Sequence, residues 1–251
     1  MNSAAAASPA PAMIAVAHGS RDPRSAATIS AVVADIARGR PDLDVRLAFL
    51  DLNTPSVDQV IDAVAAQGYT RAVVVPLLLG SAFHARVDLP GILAAARTRH
   101  PLLRLTQADV LGTDDRLVAA LRERVLDSGA DPGDNRVGIA VAAVGSSSSP
   151  ANRVTARVAS ALVRGTAWQS EICYATTAPT LAAATAELRR RGAHRVLVAP
   201  WFLAPGRLTD RLIADAPDLP QAPTIGPHPL LSEVILDRYD TAGDLPLERS
   251  A

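Results

Sequence analysis

The strongest constraint on this chain is that one stretch of it occurs twice. Residues 68–79 read GYTRAVVVPLLL and residues 192–203 read GAHRVLVAPWFL. Five of the twelve positions are identical (Gly, Arg, Val, Pro, Leu), and most of the others exchange one apolar residue for another. Leu111-Gly112 ahead of one helical pattern is echoed by Ile225-Gly226 ahead of another. Shared motifs in the same order predict an internal duplication.

Around these motifs, strand and helix patterns alternate. Apolar runs at 13–17, 45–50, 72–79 and 103–107 read as strands. The run at 72–79 is almost wholly aliphatic, as expected of a parallel strand covered on both faces. Helical spacing recurs at 24–38, where Ile29, Val32, Val33 and Ile36 fall on one side, and again at 89–99 and 114–128. Another helix is expected to open at Thr54-Pro55, with Pro55 near its first position, and to stop at Gly68. Residues 129–135 (GADPGDN) form a polar, turn-rich linker; a strand at 136–144 and a helix from about Asn152 restart the pattern. The expectation is an α/β chain of two tandem domains, each a mostly parallel sheet flanked by helices. Its boundaries are a tail at 1–11, domains at 12–128 and 136–241 about the linker, and a tail at 242–251.

Composition narrows the function. Acidic and basic residues balance at 25 each, which argues against a general nucleic-acid binder. All 25 cations are Arg, so Schiff-base chemistry and a P-loop lysine are excluded. The one cysteine, Cys173, can form no internal disulfide and hold no iron–sulfur cluster alone; it reads as buried strand filling in a reduced, cytoplasmic setting. The N-terminal residues lack a basic segment followed by an apolar one, and no apolar run approaches the ~18 residues of a membrane span. A Rossmann G-x-G-x-x-G after the first strand and a G-x-S-x-G elbow are both missing.

The two copies differ where chemistry would sit. His18 directly follows the first strand, and its counterpart in the second copy is Val144 or a near neighbour. His84, eight residues past Pro76, falls opposite Leu208, eight past Pro200. Asp51, four before Pro55, falls opposite Ala175, four before Pro179. In open α/β sheets ligands bind beyond the carboxyl ends of strands, so His18 and His84 can reach one crevice although distant in sequence.

The words around these histidines resemble one family. Residues 18–23 (HGSRDP) are similar to the opening motif of the CbiX/SirB-type sirohydrochlorin chelatases, class II chelatases with two chelatase-like domains. Residues 76–90 (PLLLGSAFHARVDLP), 49–56 (FLDLNTPS) and 226–230 (GPHPL) resemble further stretches of that family, in its order, across about 12–239. Where family members often carry Glu before the Pro-Ser of the middle motif, this chain has Thr54; Asp51 is the carboxylate nearby, either part of a site or a polar residue closing a strand.

The resemblance implies that His18 and His84 are metal ligands and proton acceptors, and that Ser20, Arg21, Asp51, Ser81 and Arg86 contact substrate. Neutral imidazole suits Fe²⁺, Co²⁺ and Ni²⁺ and can accept a pyrrole proton. The metal is then a substrate, and no cofactor is permanently bound. Sirohydrochlorin carries eight carboxylates, for which Arg21, Arg24, Arg86, Arg153, Arg207 and Arg211 are candidate partners, Arg21 and Arg86 first. The implied activity is insertion of a divalent metal, iron ahead of cobalt, by a monomer with no nucleic-acid or membrane partner. The alternatives are a cobaltochelatase of cobalamin biosynthesis and a non-catalytic metal or tetrapyrrole carrier. His228, in a Pro-rich turn before a helix, reads as structural; His100 and His194 receive no role.

Overall fold

A computed structural model describes residues 10–80 and 88–244. The first half runs β1 (Ala12–Ala17), α1 (Pro23–Gly39), β2 (Val45–Phe49), α2 (Val57–Ala66), β3 (Arg71–Pro76), α3 (Leu89–Arg99), β4 (Arg104–Gln107) and α4 (Asp115–Asp127). The second runs β5 (Val137–Ala143), α5 (Ser149–Leu162), β6 (Gln169–Tyr174), α6 (Leu181–Arg190), β7 (Arg195–Pro200), α7 (Arg207–Asp215) and α8 (Pro229–Gly243). The strands form two parallel sheets, ordered β2-β1-β3-β4 and β6-β5-β7. A lone parallel bridge from Val198 to Gln221 stands where a fourth strand would extend the second sheet.

Every residue of β1 is buried, and its alternation serves two cores. Met13, Ala15 and Ala17 face α1; Ile14 and Val16 join Val57, Val60, Ile61 and Val64 of α2. That is why β1 and β3 read as continuous apolar runs. The expectation for α2 needs correction: Pro55 follows a cis peptide bond and lies outside the helix. The helix starts at Val57, because Ser56 and Gln59 form a reciprocal capping box that satisfies two exposed N–H groups there. Likewise α5 begins at Ser149, earlier than Asn152, because the Ser148 hydroxyl caps it.

The last helix of each half crosses to the other. α4 packs on β7 and α5, whereas α8 packs on α1, β3 and β4. One apolar cluster therefore runs through both halves, from Met13 and Val73 to Ile139 and Leu197, with Leu117, Leu121, Val234 and Ile235 between them. Burying each such side chain contributes about 1.5–3 kcal/mol. The linker is pinned as well: Asp131 O accepts from Trp168 Nε1 at 2.6 Å, and Pro132 O accepts from Ala167 N at 2.8 Å.

Candidate functional site

His18 is exposed at the carboxyl end of β1. Its backbone is fixed from the loop after β2. Leu50 N donates to Ala17 O at 2.9 Å and Asp51 N to His18 O at 3.0 Å. Gly19 then turns at φ +97°, with so little room that a Cβ there would stand 1.8 Å from Asp51 O. Ser20 N donates to Asn53 Oδ1 at 2.6 Å, and Ser20 Oγ accepts from Asp22 N at 3.0 Å. Asp22 caps α1 through Arg24 N at 3.0 Å. Two conformational demands thus explain the wording HGSRDP: a left-handed glycine beside another backbone, and a cap three residues on.

The second half reaches over this loop. Arg24 forks onto Asp22 and also pairs with Asp210 of α7. Its guanidinium holds the Asp22 carboxyl below the usual carboxylate range. A Cβ on Gly206, just before α7, would lie 3.9 Å from Asp22 Cβ and 4.0 Å from Ser20 Oγ. The loops after β1 and β7 therefore meet, two to four residues past His18.

The second sheet repeats the geometry without the imidazole. Ala175 N donates to Ala143 O and Thr176 N to Val144 O, at 2.8 and 3.0 Å, so Val144 is the counterpart of His18. By the same bonds Asp51 matches Thr176, which corrects the pairing with Ala175 that the prolines alone give. The first half holds one residue more before its cis proline, and its Leu52 is the one non-glycine at positive φ (+64°) among the described residues. For a leucine that conformation costs roughly 1–2 kcal/mol.

The remaining expected site residues are placed unevenly. Ser20 is half-buried; Arg21 and Asp51 are exposed; Ser81, His84 and Arg86 lie outside the described residues. Among the described residues Arg21 and Arg153 make no ion pair, whereas Arg24 is committed to two carboxylates and Arg211 to Asp215. No group of three or more His, Cys, Asp or Glu among the described residues could hold a metal. His228 is structural, as expected: its Nδ1 accepts from Leu230 N at 3.2 Å to cap α8, and its Nε2 lies 3.0 Å from Glu123. His100 contacts Asp62 of α2 at 2.6 Å, from the end of α3. Asn53, which sequence reasoning gave no role, is the residue that ties the histidine turn to its neighbouring loop. The letters alone carried no signal for it, because the extra residue before Pro55 emerges only when backbone hydrogen bonds fix the register.

The CbiX family profile matches this chain twice, over residues 12–128 and 138–242. The chain belongs to the CbiX family. It is 30% identical to the sirohydrochlorin ferrochelatase of Priestia megaterium over 243 residues, spanning 92% of this chain and 90% of that one. With the sirohydrochlorin ferrochelatase of Bacillus subtilis (strain 168) it shares 27% over 237 residues, 90% of each chain. Its fold matches that of SirB from Bacillus subtilis with Fe³⁺ at a TM-score of 0.79 and 24% identity, covering 94% of this chain and 96% of that one. For this CbiX-family chain the fold expectation is borne out: an α/β chain with two parallel sheets flanked by helices. Among the described residues no helix is long and apolar enough to cross a membrane.

Proposed function

We propose that this chain is a sirohydrochlorin chelatase, inserting a divalent metal (Fe²⁺ ahead of Co²⁺ or Ni²⁺) into sirohydrochlorin with release of two protons and without ATP. The carrying observation is an exposed imidazole, His18, at the carboxyl end of the central strand of a CbiX-family chain, in a loop that the second half contacts at Gly206 and Asp210. Residues 12–128 carry the chemistry, and the second half, with Val144 where the first has His18, supplies the opposite wall.

In this reading His18 and His84 hold the incoming ion and leave its other coordination sites open to ring nitrogens. A closed four-ligand site would trap the metal instead. As each pyrrole nitrogen bonds the metal, its proton passes to an imidazole and then to water. Charge balances, because one M²⁺ enters as two H⁺ leave. Arg21, Arg86 and Arg153 pair with substrate carboxylates at the rim, each charge-assisted bond contributing roughly 1.5–3 kcal/mol; Ser20, Ser81 and Asp51 add polar contacts. The enzyme acts as a cytoplasmic monomer with no resident cofactor.

Anaerobic incubation with sirohydrochlorin and each of Fe²⁺, Co²⁺ and Ni²⁺, followed by absorbance, tests the reading and ranks the metals. His18→Ala and His84→Ala should each lower turnover by about 10²-fold or more, the low end for losing a general base. His228→Asn, which keeps a helix cap, should retain turnover. Full activity in the double histidine variant would end this mechanism, and stoichiometric binding without turnover would mark a carrier.

A further inference from the structure

We infer that Asn53 is a positioning residue for His18, holding the histidine turn in register through the Ser20 N–H. This rests on the functional reading of His18 given above. The 2.6 Å bond from Ser20 N to Asn53 Oδ1 links two loops 33 residues apart in sequence. With the bond from Asp51 N to His18 O, it holds Gly19 between two anchors, the first of them on the carbonyl of the histidine itself.

The second half shows what this arrangement replaces. There the N–H of Ser146, the counterpart of Ser20, donates to Asn152 Oδ1 at 2.9 Å, and Asn152 Nδ2 donates back to Ser146 O at 2.8 Å. That asparagine belongs to α5, the helix that the same loop opens, so the Ser146 N–H is held within its own segment, while Thr176 of the neighbouring loop holds only Val144 O, through its N–H and its hydroxyl. The first half gives the task to a different loop. It reaches the turn by means of one extra residue and a leucine in a left-handed conformation, at Leu52. Backbone strain of this kind persists where the surrounding structure imposes it, and such positions cluster at functional sites. An unstrained alternative exists in the other half of the same molecule. The strained version occurs in the half with the histidine, and its product is an amide oxygen two residues from it.

The consequence is that the 51–56 loop and the imidazole move together. Displacing a reacting group by about 1 Å can cost 10²-fold in rate, so a lost anchor should show in turnover more than in binding. Asn53→Ala should lower kcat about 10-fold or more while KM for sirohydrochlorin stays within about threefold. Asn53→Asp keeps an acceptor oxygen at the same place and should restore kcat to within about threefold of the parent.

A second readout is independent of activity. The protein has five histidines, so imidazole ¹H–¹³C signals can be assigned by single replacement. In the protein without metal or substrate, Asn53→Ala should shift or broaden the His18 signal and leave those of His100, His194 and His228 in place. Should Asn53→Ala not fold, Asn53→Gln, which moves the amide by one methylene, should give the same selective change in the His18 signal. An unmoved His18 signal, or Asn53→Asp as damaging as Asn53→Ala, would overturn the inference. If His18→Ala kept full turnover, the functional reading would fall, and the imidazole signals would still decide the positioning.

Discussion

Arg124 and Arg238 are counterparts that work in opposite directions. Arg124, on α4 of the first half, donates from Nη2 to Ile225 O at 3.0 Å and Pro227 O at 2.9 Å in the second. Arg238, on α8 of the second half, donates to Val110 O at 3.2 Å and Leu111 O at 3.3 Å in the first. Each reaches the carbonyl just ahead of the glycine in the repeated Leu111-Gly112 and Ile225-Gly226 pairs. The exchange means that neither half closes its own core. Residues 12–128 expressed alone should therefore expose Leu117, Leu121 and Val125 of α4, all fully buried in the intact chain. We expect that fragment to self-associate or precipitate, as judged by size-exclusion chromatography with light scattering. A monomeric fragment with a cooperative melt would show that the halves are independent.

Gly19 and Gly68 separate two reasons for a glycine. Both have positive φ, +97° and +81°, but a Cβ at Gly68 would meet nothing within 4 Å, whereas at Gly19 it would overlap the Asp51 carbonyl. Gly68→Ala should cost only the conformational penalty, about 1–2 kcal/mol. Gly19→Ala must also push the loops after β1 and β2 apart, so its loss of stability should exceed that of Gly68→Ala. Its turnover should fall by about 10²-fold. Urea denaturation and turnover on the two variants check this; equal effects would show that the contact at Gly19 is soft.

Much of this was legible in the letters because local chemistry dictates it. The VVV of β3, the stripe Ile29, Val32, Val33 and Ile36 of α1, and the placing of His18 opposite Val144 or a near neighbour all follow from periodicity and repeat. Three things were not. The apolar stripe of α4 announces that Leu117 and Leu121 are buried, but an amphipathic pattern carries no information on which sheet buries them. Proline position alone put Pro55 inside α2, although Ser56 and Gln59 had already spelled the cap. Counting back from the prolines paired Asp51 with Ala175, because a one-residue loop difference leaves no mark until backbone hydrogen bonds fix the register.

Cys173 lies in β6 at 0% exposure, and burial pushes its thiol up to about 12. The nucleophilic species is the thiolate, so the native protein should be inert toward thiol reagents. At pH 8, a chromogenic disulfide should label no thiol in the folded chain and one after denaturation. Rapid labelling of the native protein would mean that β6 opens to solvent far more readily than its burial implies.

Acid should loosen the contact between α4 and α8 through Asp114. Its carboxylate caps α4 at Arg116 N and pairs with Arg116 and with Arg238 of α8, each at 3.0 Å, while the side chain is only 13% exposed. The Arg116 guanidinium, with help from that backbone N–H and from Arg238, holds its pKa below the ordinary 3.8. A carboxyl whose native pKa is depressed stabilises fully above its unfolded pKa, and that stabilisation is lost as pH falls through the native value. Stability should therefore hold from neutral pH to about pH 4 and decline below it. Asp114→Asn keeps a capping oxygen but loses the charge, and should cost roughly 1–2 kcal/mol at pH 7. Below pH 4 the parent and the variant should converge, because the unfolded chain's carboxyl is protonated first and the native one as pH falls through its depressed value. Urea midpoints at pH 7 and pH 3 measure both effects. A gap between the two proteins that stayed constant across that range would mean the Asp114 charge does not hold the helices together.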